Sequence, residues 1–367
     1  MKDALPELNG KDYIEKLNED YDIRFCRIDE FDELIEFIDT YWRKNHIFVL
    51  SKEMFDFQHL NLEDNRYDFV IAKHRKSGEI HSAFGFVTTH HFDPEIKPII
   101  IWPAIWKTRD DIKVKGLGVS LFYYFKENLP VENISALGIS PIALSIYKHW
   151  GFETGKIRHY VFPNQSMSEY FLCENIEKIE KRNMKEDDLL MEMIDEKEYE
   201  SIPLEEEVFS NLSRYKSKKY YISRFFKHPM YKYVFYALKS GERYKAIFIA
   251  RECGYKGHKC LRIVDYIGDV KYLGSINNQL TRLMEEKNYE YIDLVEVGSD
   301  DQVLHEANFI DKDEIDGLIV PNYFEPFEKR NIYLDYAMRT ICDDKAIFFK
   351  ADSDQDRPNM LVNEMDL

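Results

Sequence analysis

Two stretches of this chain alternate apolar and polar positions with the same punctuation. Residues 67–87, YDFVIAKHRKSGEIHSAFGFV, and residues 231–249, YKYVFYALKSGERYKAIFI, each carry a Ser-Gly-Glu turn, at 77–79 and 240–242. Period-two alternation broken by a glycine turn predicts a β-hairpin in each. The similarity continues downstream. GFETGKIRHYVFPN (151–164) matches NFIDKDEIDGLIVPN (308–322), with Phe152 and Phe309 157 positions apart and Pro163 and Pro321 158 apart. At the second spacing Gly116 falls on Gly274 and Tyr147 on His305.

Element order repeats as well. Each half has an opening strand (YDIRFCRI, DLLMEMID), a helical stretch and the hairpin. Another apolar strand, a glycine-led helix, a strand, a short helix and a final hairpin-like segment follow. This predicts a mixed α/β (α+β) fold, mostly antiparallel at its start, occurring twice. The expected boundaries are a first domain over 1–164, a charged linker over 165–187 ending ENIEKIEKRNMKED, and a second domain over 188–367. An ordinary solvated helix over 165–187 is compatible with the linker role.

Composition narrows the function classes. The chain has 367 residues, 44% hydrophobic and 15% aromatic, enough for two buried cores. Its 50 Lys and Arg against 67 Asp and Glu give a net charge of −17, which disfavours nucleic acid. Small anions held in a local basic pocket, and cationic partners, stay compatible with that charge. No apolar run is long enough to span a membrane, and the charged start lacks the apolar core of a signal peptide, so a cytoplasmic location is expected. Five scattered cysteines fit a reducing compartment. CGYKGHKC (253–260) reads as a hairpin rather than half a zinc site, since no second Cys/His pair matches it, and no metal is expected.

The chemistry starts at KVKGLGVSLFYYFKEN (113–128). Glycines ahead of a helix let the backbone turn tightly and aim amides outward, and the helix N-terminus adds positive potential, a combination that cradles phosphate. Lys113, Lys115, Gly116, Leu117, Gly118 and Val119 are the candidate ligands. The Gly-Lys-Ser/Thr ending of a nucleotide-triphosphate loop and the third glycine of a dinucleotide fingerprint are both missing. Further on comes ALGISPIALSIYKHWGFETG (136–155).

Together the two segments resemble the GNAT N-acetyltransferase superfamily over roughly 67–164. The family's Arg/Gln-x-x-Gly-x-Gly/Ala loop for the coenzyme A pyrophosphate is matched by Lys113, Gly116 and Gly118. Its later helix is matched by Ala143, Tyr147, Gly151 and Phe152. Lys113 replaces the usual Arg or Gln, and Ser140 stands where Asn is common. The resemblance implies two tandem GNAT-like domains with acyl-CoA as co-substrate. Over 190–345 it rests on the repeat and looks degenerate: Gly118 corresponds to Ile276, YLGSINN has no lysine beyond Lys271, and Tyr147 has become His305. Acyl-CoA is therefore expected in the first half alone.

Acyl transfer to an amine needs a neutral amine, a polarised carbonyl, a stabilised oxyanion and a protonated leaving thiolate. In the family a splayed central strand polarises the carbonyl; here it would be KPIIIWPAIWK, where Pro103 suggests a break in the ladder. Tyr147 is the candidate acid, although a core tyrosine reads equally well. In HSAFGFVTTHHFDPEIKP, Ser82, Thr88 and His90 are expected on one strand face. Asp93 is the candidate base, with a plain turn former as its alternative, and His90 and His91 are rivals. Ser82 would assist.

The acceptor is less legible. RYKSKKYYISRFFKHPMYKY (214–233) mixes bases and aromatics, as a platform for a flat anionic ligand would, or as an ordinary helix–strand junction would. In IFFKADSDQDRPN, Asp352, Asp354 and Asp356 alternate, but the glycine and the final glutamate of a calcium loop are missing. With the repeat, these features resemble tandem-GNAT N-acyltransferases of dTDP-4-amino-4,6-dideoxy sugars, the anthrose-pathway type. That resemblance implies a nucleotide-linked amino sugar destined for bacterial surface polysaccharide as partner, Asp93 as base with Ser82 assisting, and a second domain that helps hold the nucleotide. The alternatives are a GNAT acetyltransferase acting on a cationic amine, and a CoA-binding scaffold protein without activity.

Overall fold

The computed structural model describes residues 10–96, 99–181, 184–203, 216–340 and 347–361. In chain order the strands are β1 Tyr21–Arg27, β2 Leu60–Asn61, β3 Arg66–His74, β4 Ile80–Thr88, β5 Ile99–Thr108, β6 Val131–Ile139, β7 Glu153–Lys156 and β8 Arg158–Pro163. They continue with β9 Leu190–Ile194, β10 Val234–Ser240, β11 Arg243–Tyr255, β12 His258–Gly268, β13 Tyr289–Val297, β14 Ile310–Asp311, β15 Asp335–Thr340 and β16 Phe348–Phe349. They form two eight-stranded mixed sheets, ordered β1-β3-β4-β5-β6-β15-β7 and β14-β8-β13-β12-β11-β10-β9, with β2 on β3 and β16 on β13. Both predicted hairpins are present, as β3–β4 and β10–β11.

The domain boundary expected at 164 differs from what the sheets do. Among the described residues, one compact unit takes those of 10–155, 335–340 and 359–361; the other takes those of 156–334 and 347–358. Strand β8, which the sequence assigns to the first half, pairs between β13 and β14 of the second sheet. Strand β15, from the second half, pairs with β6 in the first sheet. Each half thus completes its sheet with a strand from beyond its own repeat.

The segment 165–187, expected as a linker, carries buried residues. Its described residues belong to the second unit, with Leu172, Cys173, Ile176 and Ile179 buried in a cluster with Tyr291 and Val320. The buried Glu290 carboxylate accepts the amides of Phe171 and Leu172 at 2.9 and 2.8 Å.

In the first unit the helix Leu117–Asn128 presses Leu121, Phe122 and Phe125 onto Phe84 and Phe86 of β4. The opposite face is covered by the short helices at Phe31–Phe37, Ile47–Leu50 and Lys52–His59, with Phe55 stacked on Phe69 at 5.7 Å. Both faces are apolar, so the central strands are buried along their length, as the near-continuous apolar runs require.

In the second unit, helix Asn277–Lys287 supplies Leu280, Leu283 and Met284 to the equivalent core. Part of the basic, aromatic stretch is interior: Tyr220, Tyr221, Phe225, Lys216 and Arg224 are buried, while Lys219, Lys227 and Lys232 are exposed. Lys216 pairs with Asp265 and Asp352, at 2.8 and 2.7 Å, and Arg251 pairs with Asp356 at 2.9 Å. The alternating aspartates of the tail therefore neutralise buried cations. Among the described residues, no three His, Cys, Asp or Glu side chains converge on a metal position. CGYKGHKC forms the expected hairpin, with Cys253 opposite Cys260 and a turn at Lys256 and Gly257. Cys342 lies outside the described residues. No helix among the described residues is long and apolar enough to cross a membrane.

Candidate functional site

In the first sheet β5 pairs parallel with β6. The ladder runs Ile99–Val131, Ile100–Asn133 and Ile101–Ile134 and then stops, although β5 continues to Thr108 and β6 to Ile139. Beyond that point β5 pairs with β4 and β6 pairs with β15, so the two strands diverge into a wedge. At the divergence, β4 steps from Phe84 to Phe86 while β5 steps from Trp106 to Pro103, which places one extra residue on β5. Such a bulge bends its strand and re-aims its peptide groups. Pro103 sits at the break, as its missing amide demands.

The ladder between the two strands ends where the wedge begins. An extended amide-bearing chain can lie between them as an added strand would.

At the wide end the chain turns into the glycine loop. Gly116 caps the helix at φ +84°, a left-handed conformation that disfavours any side chain. Gly118 is pressed against β5: a Cβ there would lie 2.9 Å from Thr108 Oγ1 and 3.4 Å from Trp106 Nε1. The Trp106 indole N–H donates to the Gly118 carbonyl at 2.9 Å. The first amides of a helix have no intrahelical acceptor. Here they open at the wide end of the wedge, with Leu117 buried, Val119 half-buried, and Lys113 and Lys115 exposed. Lys113 Nζ donates to the Asp110 carbonyl at 2.6 Å, which folds it over the loop.

Arg109 was not singled out in the sequence, yet it anchors this loop. Its guanidinium forks onto Asp111 at 3.1 and 2.7 Å, reaches Glu79 at 3.3 Å and lies over the Tyr41 ring at 4.6 Å. Its amide donates to the His81 carbonyl at 2.9 Å. Position alone, directly after an apolar strand and before the glycines, was the available signal. Under the acyl-CoA reading proposed below, Arg109→Ala is expected to weaken CoA binding at least tenfold, with Arg109→Lys restoring part of it, measured by titration calorimetry. Equal affinity in all three would show that the loop holds its shape without this anchor.

Tyr147 lies on the helix Pro141–His149, which follows β6, and its ring meets Trp106 of β5 at 6.0 Å. Phe152 and Trp150 pack on its other sides, at 4.9 and 5.9 Å. The residue is 1% exposed, and its hydroxyl has no hydrogen-bond partner among the described residues. Burial alone pushes the phenol above its ordinary range, so it keeps its proton at neutral pH.

Ser82 and Asp93 are not brought together. Ser82 Oγ is buried in the β4–β5 ladder, at 3.1 Å from the Lys107 carbonyl and 2.7 Å from Thr108 Oγ1, beside the glycine loop. Asp93 is near the opposite end of β4, past Thr88. Six residues at about 3.3 Å each put about 20 Å between Ser82 and the end of that strand.

Asp93 closes the short helix Thr89–Phe92. Its amide donates to Thr89 O at 3.1 Å, and Thr89 Oγ1 accepts Ile100 N at 3.3 Å, tying Asp93 to the start of β5 at the narrow end of the wedge. The carboxylate is buried and accepts the Glu95 amide at 3.1 Å, so Asp93 also forms the turn.

His90 does not share a strand face with Ser82 and Thr88. The strand ends at Thr88, whose Oγ1 accepts His91 N at 2.9 Å and starts a helical turn. His90 Nε2 lies 3.9 Å from Glu63, and His91 Nε2 is 2.7 Å from the Phe57 carbonyl, to which it donates.

No known protein family matches this sequence, and no curated protein does. Solved structures do match. A GCN5-related N-acetyltransferase from Anabaena variabilis ATCC 29413 superposes with a TM-score of 0.54 at 9% identity, over 88% of this chain and 73% of that one. A conserved protein of unknown function from Enterococcus faecalis V583, a probable N-acyltransferase, does so with a TM-score of 0.50 at 8% identity, over 86% and 71%. At such identities the likeness establishes the fold: two GNAT-like units in tandem.

Proposed function

We propose that the protein is an acyl-CoA-dependent N-acyltransferase whose co-substrate lies in the first unit. The observation that carries this reading is the β5–β6 wedge, which opens onto a helix start that Gly118 brings against the sheet. An extended, amide-bearing carrier ending in a diphosphate fits both parts. Its amides meet the diverging strand edges, and its phosphates meet the helix amides with Lys113 and Lys115 at the rim. When bound, acyl-CoA supplies an acyl carbon open to attack by a neutral amine.

The chain's own residues would then do the following. The bulged backbone of β5 near Pro103 offers peptide groups to the carbonyl, as an oxyanion site requires. Tyr147, protonated and without another partner, is the proton source for the departing sulfur. Asp93, anchored at the narrow end, is the acceptor for the amine's proton. Ser82, held between Lys107 and Thr108, supports the loop end of β5 rather than the reacting atoms.

The acceptor we propose is the amine of a nucleotide-linked sugar, of the dTDP-4-amino-4,6-dideoxy type. The sequence resemblance supports it. The stretch 216–233 adds little to it, because most of its rings and the cations Lys216 and Arg224 are buried inside the second unit, although Lys219, Lys227 and Lys232 are exposed. The net charge of −17 favours a second reading, a cationic amine acceptor. Turnover with a polyamine that falls steeply with salt, and no response to dTDP, would select that second reading.

Asp93→Asn is expected to lower turnover at least a hundredfold while CoA affinity stays unchanged, read from steady-state rates and calorimetry. Near-normal turnover would remove Asp93 as the base and turn attention to His90 and His91.

A further inference from the structure

The second unit repeats the wedge. Its single parallel contact, β12 with β13, runs Lys259–Tyr289, Leu261–Ile292, Arg262–Asp293 and Ile263–Leu294. It stops there, although β12 continues to Gly268 and β13 to Val297. The far edge of β13 is taken by β8, which reaches Glu296.

The near edge is taken by the chain itself. Strand β16 pairs antiparallel with β13, Phe349 on Glu296 and Phe348 on Val297. Two residues later, the Ala351 amide donates to the Val264 carbonyl of β12 at 2.9 Å. Residues 348–351 therefore bridge both lips of the wedge.

The helix start is taken as well. In the helix Asn277–Lys287, the Asn278 amide donates to Asp187 Oδ1 and the Gln279 amide to Asp187 Oδ2, both at 2.9 Å. The side-chain amides of Asn278 and Gln279 bind the same carboxylate, at 3.0 and 3.1 Å. Asp187 thus places two anionic oxygens where the equivalent helix of the first unit exposes its amides. His305, the counterpart of Tyr147, is engaged by Glu314 at 2.7 Å.

The bridging segment is anchored from both sides of its strand. Asp352 is held by Lys216 at 2.7 Å, Asp356 by Arg251 at 2.9 Å, and Arg224 donates to the carbonyls of Ala351 and Ser353 at 3.0 and 2.7 Å.

We propose that the second unit is an acyl-CoA-type site closed by its own chain. Residues 348–351 stand where an extended carrier would lie, and Asp187 stands where its diphosphate would sit. Resting on the acyl-CoA reading of the first unit, this fixes one co-substrate per chain. It also gives the second unit a structural role that erosion of its glycine loop alone does not: its open strand edges and helix amides are satisfied internally.

The test is hydrogen exchange and native mass spectrometry on the full chain, with and without CoA. One CoA per chain is expected, with new protection at Gly118 and Val119. The amides of Asn278, Gln279 and Ala351 should be protected already and should not respond. In Asp187→Ala, exchange at Asn278 and Gln279 should speed at least tenfold while the stoichiometry stays at one, because the strand still fills the wedge. Two CoA molecules per chain, or protection gained at Asn278 and Gln279 on adding CoA, would overturn the closure and leave the first site standing. No binding at all would overturn the acyl-CoA reading and this inference with it.

Discussion

Replacing Tyr147 by Phe is expected to slow acyl transfer a hundredfold or more while leaving the protein as stable as before, or more so. The two effects have one origin. The hydroxyl is buried among Trp106, Phe122, Trp150 and Phe152 and meets no hydrogen-bond partner among the described residues. A buried polar group without a partner costs about 1–3 kcal/mol, so deleting it relieves strain in the folded state. A general acid typically contributes about 10²–10⁴ in rate, and that contribution goes with the oxygen. Burial holds the phenol proton, so the acid proposed here would stay available across the neutral range, and the loss in Tyr147→Phe should be uniform in pH. Rates and unfolding midpoints of the two proteins decide it. A destabilised variant of normal activity would make Tyr147 a packing residue.

Gly118→Val should abolish CoA binding at concentrations that saturate the parent. A Cβ would already approach Thr108 Oγ1 to 2.9 Å and Trp106 Nε1 to 3.4 Å. Thr108 can rotate away from one methyl group. A branched side chain must instead push the helix start off β5, breaking the Trp106-to-Gly118 hydrogen bond of 2.9 Å. Overpacking of this kind costs about 1–3 kcal/mol. The helix amides would move away from the mouth of the wedge, and a displacement of that size disrupts a phosphate cradle that depends on close approach. Gly118→Ala should give an intermediate affinity. Undiminished binding in Gly118→Val, measured by calorimetry on folded protein, would place the phosphates elsewhere.

Local pattern carried much of this fold. Alternation around Ser-Gly-Glu located both hairpins, and two glycines ahead of an apolar helix located the loop. Pro103 marked the strand break because a proline cannot donate to a ladder. What sequence could not carry was partner choice over long range. The run 151–164 reads as a continuous hairpin-like segment, but β7 and β8 part into different sheets, and nothing within the run encodes that. The stretch 165–187 looked like a linker because its charges dominate its composition. Leu172, Ile176 and Ile179 are what bury it.

The same limit applied to the charges. Asp352 and Asp356 suggest a cation loop when read alone; Lys216 and Arg251, more than a hundred residues away, are what they serve. In the candidate site, Gly116, Gly118 and Tyr147 were legible through family resemblance. Arg109 and Thr108 were not, since their roles arise from the strand register and the hairpin turn they meet. Period-two reasoning also overran the end of β4: Thr88 caps a helical turn there, and His90 leaves the strand face.

Thermal unfolding of the full chain with CoA, with dTDP and with both tests the central claim most directly. A ligand of the folded state present at a hundredfold excess over its dissociation constant stabilises it by about 2.7 kcal/mol. CoA alone is expected to raise the midpoint of the parent protein and leave Gly118→Val unmoved, with a further rise when dTDP is added to the parent. No shift with CoA in the parent protein, or an equal shift in Gly118→Val, would contradict an acyl-CoA site at the wedge between β5 and β6.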